Sequence, residues 1–201
     1  MRPARKNRPV KAEDNVWRKV LSQELGKAER LVVLGIGNRS KGDDAAGSLC
    51  IRRLTRELIP IKCRTEGPDT EPGRPSKGIR KSPPFELNII DAGEAPESVT
   101  GFIRGFRPSH VLIVDAAVAG RRPGSIFIID RKKISQEDLS THRLPLSLLA
   151  RYLEETIGCR VILVGIEPKE IAWGEPVSAV VRAAAARLSA WLAENLTMRR
   201  L

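Results

Sequence analysis

Short apolar runs alternate with amphipathic stretches along most of this chain. Residues 31–36, Leu-Val-Val-Leu-Gly-Ile, form a continuous run without a polar interruption, the mark of a strand buried on both faces and hence of an interior position. Residues 87–90, 111–114 and 160–166 share this strand character, and the turn Arg122-Pro123-Gly124 introduces a further strand over 125–129. Between the runs the period lengthens to that of a helix. Residues 12–27 place Val16, Val20, Leu21 and Leu25 on one face, and 45–58 repeat Leu49, Cys50, Leu54 and Leu58 until Pro60 closes the pattern. Ile61-Lys62-Cys63 can open another strand. A helix over 144–157 tolerates Pro145 in its first turn behind a Ser140 or Thr141 cap, and an Ala-rich amphipathic helix covers 177–196. Strands alternating with helices in this way imply an α/β fold, a single domain whose mainly parallel sheet has helices on both faces.

A chain of 201 residues suffices for one such domain. Two pieces stand outside the pattern. Residues 1–29 comprise a basic, disordered leader (1–11) and the first helix, which should dock on the domain at 30–197. Within that domain, 64–84 is broken by five prolines and three glycines and is expected to be a flexible inserted loop. No apolar run reaches the roughly 18 residues of a membrane span, and the N-terminus lacks an apolar signal core, so a soluble, cytoplasmic protein is expected.

The net charge of +11 invites a nucleic-acid reading, but its distribution argues otherwise. Nine Lys/Arg fall in residues 1–30, and Arg64, Arg74, Lys77, Arg80 and Lys81 lie in or beside the loop. With 4% aromatics and no groove-reading or base-stacking signature, nucleic acid is not an expected partner. The basic surface serves solubility or attraction to an acidic protein. Cys50, Cys63 and Cys159 include no CxxC pair, which argues against a disulfide framework or zinc knuckle; Cys50 and Cys159 sit among apolar residues as small hydrophobes.

Ligands of an open α/β sheet bind beyond the carboxyl ends of its strands, so polar residues that directly follow an apolar run are candidates for chemistry. Asp43 and Asp44, Asp91, and Asp115 meet that test. Asp43 and Asp91 are equally well explained as helix caps. Asp44 and Asp115 gain weight from His142, which lies in a strand-to-helix loop expected at the same edge, whereas His110 precedes its strand and belongs to the opposite end. Two carboxylates and a neutral imidazole suit a first-row divalent metal with coordination positions left open. The two acids alone could instead share a proton and activate water, as aspartyl-type endopeptidases do. Gly35, Gly37 and Gly42 permit close backbone approach and unusual φ values nearby. A dinucleotide fingerprint fails because Ser40 stands where the third glycine belongs, and no GxSxG elbow exists for a serine hydrolase.

Several blocks, in order, resemble the hydrogenase maturation endopeptidases, which process the large subunit of NiFe hydrogenases. They are Val33-Leu34-Gly35-Ile36-Gly37-Asn38 with Gly42-Asp43-Asp44 and Gly47; Ile90-Asp91-Ala92-Gly93 with Ala95-Pro96-Glu97; Leu112-Ile113-Val114-Asp115-Ala116; Thr141-His142 with Leu144-Pro145-Leu146; and Gly165-Ile166-Glu167-Pro168. The last two blocks are most similar to the branch serving formate-hydrogenlyase-type hydrogenases. The resemblance implies a twisted five-stranded sheet and assigns the metal-contacting, catalytic roles to Asp44, Asp115 and His142. It further implies removal of a C-terminal extension from the large-subunit precursor after nickel insertion, with nickel contributed by the substrate as the recognition signal and no permanent cofactor. Ala45, Ser48 and Val118 depart from residues frequent in the family, and 64–84 is an insertion. The alternative is a non-catalytic nickel-sensing checkpoint or chaperone that binds the precursor, which would use the same three ligands.

Overall fold

The computed structural model describes residues 10–62, 85–130 and 146–199. The leader, the 64–84 insertion and the segment carrying Thr141 and His142 lie outside the described residues. In chain order the elements are α1 (Val10–Gly26), β1 (Arg30–Ile36), a 3₁₀ turn (Gly42–Ala45), α2 (Ala46–Lys62), β2 (Glu86–Gly93), a second 3₁₀ turn (Pro96–Val99), α3 (Thr100–Phe106), β3 (His110–Ala116), β4 (Ile126–Ile128), α4 (Leu146–Ile157), β5 (Arg160–Ile166) and α5 (Ala179–Met198). Among the described residues, the strands form one sheet in the order β2-β1-β3-β5-β4; all pair in parallel except β4, which runs antiparallel to β5. No helix among these residues is long and apolar enough to cross a membrane.

The continuous apolar runs do what their lack of polar alternation requires. Along β1, Leu31 and Val33 enter one core while Val32, Leu34 and Ile36 enter the other; along β3, Leu112 and Val114 oppose Val111 and Ile113. Each strand therefore stabilises two layers at once, with each fully buried Leu or Ile contributing roughly 1.5–3 kcal/mol. The first core is closed by α1, α2 and α5, where Trp17 of α1 meets Trp191 of α5 edge to face at 5.3 Å. Ile103 of α3 and Leu146, Leu149 and Leu153 of α4 close the second. Cys50 and Cys159 are buried in these cores as small hydrophobes.

Local details differ from the sequence expectation. α2 continues past Pro60 to Lys62, so Ile61 and Lys62 belong to the helix and open no strand, while Cys63 is outside the described residues. Ile61 follows Leu54 and Leu58 at helical spacing, and a proline in the last turn interrupts little of the ladder behind it. α3 was not anticipated at all. Its seven residues include Gly101 and Gly105, each costing about 1 kcal/mol of helix propensity, so packing of Ile103 outweighs an unfavourable local preference.

The chain order creates a switch point. From β1 the chain leaves through α2, over the first core, to β2 on one side; β3 lies on the other side of β1 and feeds β4 and then α4, over the second core. The carboxyl ends of β1 and β3 thus open onto a crevice from which the connections diverge. At this edge α2 meets the strands backbone to backbone. A Cβ on Gly47 would overlap the carbonyl oxygens of Ile36 and Val114, and one on Gly35 would overlap Ile51 and the Gly47 carbonyl.

Gly47→Ala should therefore destabilise the protein by about 3 kcal/mol or more, because the obstructing atoms are main chain. Gly101→Ala, which meets nothing within 4 Å, should stabilise it by about 0.5–1 kcal/mol. Urea unfolding of the two variants tests both signs.

His110, at the amino end of β3, sits with Nδ1 3.0 Å from Ser109 Oγ. Burial pushes its pKa below the usual 6.5, opposed by Glu24 and aided by Arg160, Lys27 and Arg199. Because the unfolded chain then takes up the proton first, stability should be complete above about pH 6.5 and decline as pH falls from there towards the lowered native pKa. His110→Asn should flatten that part of a stability–pH curve.

Candidate functional site

The loop after β1 brings the first acidic pair back over the strand ends. Gly37 has a φ of +154°, and a Cβ there would overlap the Asp44 carbonyl, so glycine is what allows the 3₁₀ turn to fold against β1. Asp44 N–H donates to the Lys41 carbonyl at 3.2 Å, and Asn38 N–H donates to Asp44 Oδ2 at 3.1 Å. Asp44 as a whole is only 2% exposed.

Asp115 is the penultimate residue of β3 and fully buried, with Oδ1 accepting the Ala116 N–H at 2.8 Å. By the alternation of the strand it projects with Val111 and Ile113, towards the layer closed by α4. The 3₁₀ turn carrying Asp44 packs against β3. The structure thus brings both acids to the diverging edge of two adjacent strands. His142, expected to join them, lies outside the described residues four positions before α4, and among the described residues no three His, Cys, Asp or Glu side chains converge as a metal site.

Asp43, adjacent to Asp44, has a different function. Its Oδ2 accepts Lys169 N–H at 2.8 Å, Glu170 N–H at 3.2 Å and Ser178 Oγ–H at 2.9 Å, while Oδ1 accepts Ser178 N–H at 2.6 Å. Ser178 is itself the N-cap of α5, accepting Val181 N–H at 3.4 Å. Asp43 is therefore no helix cap but the anchor of the whole connection between β5 and α5. Asp91 is likewise not a cap: it lies within β2 and accepts from Ser48 Oγ at 2.5 Å and Gly93 N–H at 3.3 Å. Together with Gly37, Asn38, Arg39 and Glu94, Ser48 and Asp91 line an open cleft of about 440 Å³ beside the Asp44 loop. A cavity of about 640 Å³ among α1, α4 and the β4–β5 edge shares no residue with this site.

Sequence reasoning overlooked two buried polar residues. Glu167, directly after β5, accepts Ala119 N–H at 2.9 Å through Oε2, while its backbone bonds Gly124 N–H and the Ser125 carbonyl, tying the β3–β4 connection to the site edge. Its place immediately after an apolar run was the available signal. Ser48 is fully buried on α2, and its single proton bridges towards Asp91 with the Gly37 carbonyl also 3.1 Å away. Nothing local marked it as more than a helix residue. Cys50 and Cys159, the cysteines among the described residues, are poor nucleophiles, since burial raises the thiol pKa to about 12 at Cys50 and about 11 at Cys159.

Comparison with known proteins identifies the family. The family model described as hydrogenase maturation protease matches residues 77–194. The hydrogenase 3 maturation protease of Escherichia coli K12 is 33% identical over 165 residues, 80% of this chain and 89% of that protein. The crystal structure of the NiFe hydrogenase maturation protease HycI from Thermococcus kodakarensis KOD1 superimposes with a TM-score of 0.69 at 34% identity, covering 90% of this chain and 99% of the other. The solution structure of the endopeptidase HycI from Escherichia coli gives a TM-score of 0.62 at 30% identity, covering 82% and 90%.

The anchoring role of Asp43 has a direct consequence. Asp43→Ala removes a buried carboxylate that accepts four hydrogen bonds, each worth about 1.5–3 kcal/mol when one partner is charged, so a loss of at least about 3 kcal/mol is expected. Amide exchange should rise first at Lys169, Glu170 and Ser178, which a hydrogen-exchange measurement resolves.

Proposed function

This chain belongs to the hydrogenase maturation protease family and is a peptidase, and we propose that it removes the C-terminal extension of a NiFe hydrogenase large-subunit precursor once nickel has been inserted. The observation that carries this reading is the pair of buried carboxylates, Asp44 and Asp115, at the carboxyl ends of β1 and β3 where the chain diverges. Carboxylates gathered beyond the ends of adjacent strands lie where an open α/β sheet binds its ligands, and their oxygens are suitable ligands for a divalent cation that arrives with the substrate.

In this proposal Asp44, Asp115 and His142 contact the nickel that the precursor carries, and the enzyme has no permanent metal of its own. Carboxylate oxygens and an imidazole nitrogen are suitable ligands for that ion, and they leave positions for the precursor's own ligands. Docking on the ion holds the precursor in register, so that the peptide bond to be cut lies beside the same carboxylates. Either carboxylate, as a base, can take a proton from the attacking water, and the protonated acid can return it to the leaving amine. The reaction would take place in the cytoplasm.

Family membership in a group of peptidases removes the support for a non-catalytic checkpoint. A purely aspartyl-type mechanism using Asp44 and Asp115 remains the chemical competitor, and the two differ in what His142 and nickel do. The proposal predicts that nickel-loaded precursor is shortened and nickel-free precursor is not. Asp44→Asn, Asp115→Asn and His142→Ala should each reduce the cleavage rate by at least about 10²-fold without unfolding the protein. Mass spectrometry of the large subunit after incubation reads all of these. Efficient cutting of nickel-free precursor, or full activity of His142→Ala, would overturn nickel-guided cleavage in favour of the aspartyl mechanism.

A further inference from the structure

The connection between β5 and α5 presents Trp173 with its side chain 69% exposed. Tryptophan has a large apolar surface and is normally mostly covered, so an indole held in the open is an observation that calls for a reason. The loop beneath it is fixed. Asp43 accepts hydrogen bonds from Lys169, Glu170 and Ser178, Asp43 N–H donates to the Glu170 carbonyl at 3.1 Å, and Gly174 N–H, next to the tryptophan, donates to the Ser40 carbonyl at 2.8 Å.

Lys41 joins this platform to the candidate catalytic edge. Its carbonyl accepts the Asp44 N–H at 3.2 Å, and its ammonium lies 5.9 Å from the centroid of the Trp173 ring. The indole therefore stands on the rim of the loop that carries Asp44, held by the carboxylate next to it in sequence. Its surroundings combine an apolar plate with a half-buried cation.

We propose that Trp173 and Lys41 form a specificity platform that captures the polypeptide tail of the precursor, taking an apolar side chain on the indole and an adjacent carboxylate on the ammonium. This rests on the proposed function, because the occupant is that reaction's substrate. A polypeptide is favoured because the platform is continuous with the edge at which its peptide bond would be cut. The pairing of an indole with a cation also matches a peptide that offers both an apolar group and a negative charge.

The test combines binding and cleavage on the full-length protein with nickel-loaded large-subunit precursor. Trp173→Ala should weaken precursor binding and raise KM at least about tenfold, with kcat and melting temperature little changed, and Trp173→Phe should recover part of the loss. Lys41→Gln should weaken binding less and reduce its dependence on salt. Trp173 fluorescence, isolated as the difference between wild type and Trp173→Phe, should shift on addition of precursor. Wild-type KM and affinity in Trp173→Ala would overturn the platform. Trp173-dependent binding by a wild-type protein that cuts nothing would keep the platform and refute the proposed function. Cleavage with unaltered KM in Trp173→Ala would do the reverse.

Discussion

The arrangement of the site depends on one contact, the main chain of α2 lying directly on the ends of β1 and β3. Neither Gly35 nor Gly47 could carry a side chain there, because each Cβ would run into backbone or into a packed Ile51. The connection between strand and helix, residues 37–45, ends in a 3₁₀ turn packed against this contact, and there Asp43 and Asp44 are buried. The carboxyl ends of β1 and β3 diverge at this same place, so the tight turn delivers acidic side chains to the one crevice the sheet provides.

The two consecutive aspartates then serve different ends because their surroundings differ. Asp43 faces the β5–α5 connection and is surrounded by donors, which offset the cost of burying its charge and make it an organising anchor. Asp44 faces the strand ends, with the Asn38 amide on Oδ2 and the edge of β3 beside it. Glu167 repeats the anchoring role on the other side by holding Ala119. Two buried carboxylates thus fix the loops that flank the edge occupied by Asp44 and Asp115. In the proposed function this rigidity orients the reacting groups before the substrate arrives, which lowers the entropy lost on forming a reactive complex.

Much of this was legible in the sequence, and the reason is periodicity. An unbroken apolar run has only one economical solution, a strand with a core on each side, and β1 and β5 occur where such runs lie. Helical spacing located α1, α2, α4 and α5 in the same way, although the end of α2 was misjudged because Pro60 is tolerated in a last turn. α3 escaped because two of its seven residues are glycines and its single fully buried side chain, Ile103, leaves almost no periodic signal. Asp44 and Asp115 stood out because the strand-end rule converts a position along the chain into a position in space.

By itself, then, the sequence determined the fold class, the interior strands and the edge to which Asp44 and Asp115 belong, because all of these follow from local patterns in neighbouring residues. Only tertiary structure decided the division of labour at that edge. Asp43 is an anchor because its partners, Lys169, Glu170 and Ser178, come from 126 to 135 residues away, and Ser48 meets Asp91 across 43. The partner of a polar group is chosen by how the sheet closes and which backbones can touch, and no pattern within a few residues of Asp43 or Ser48 carries that information.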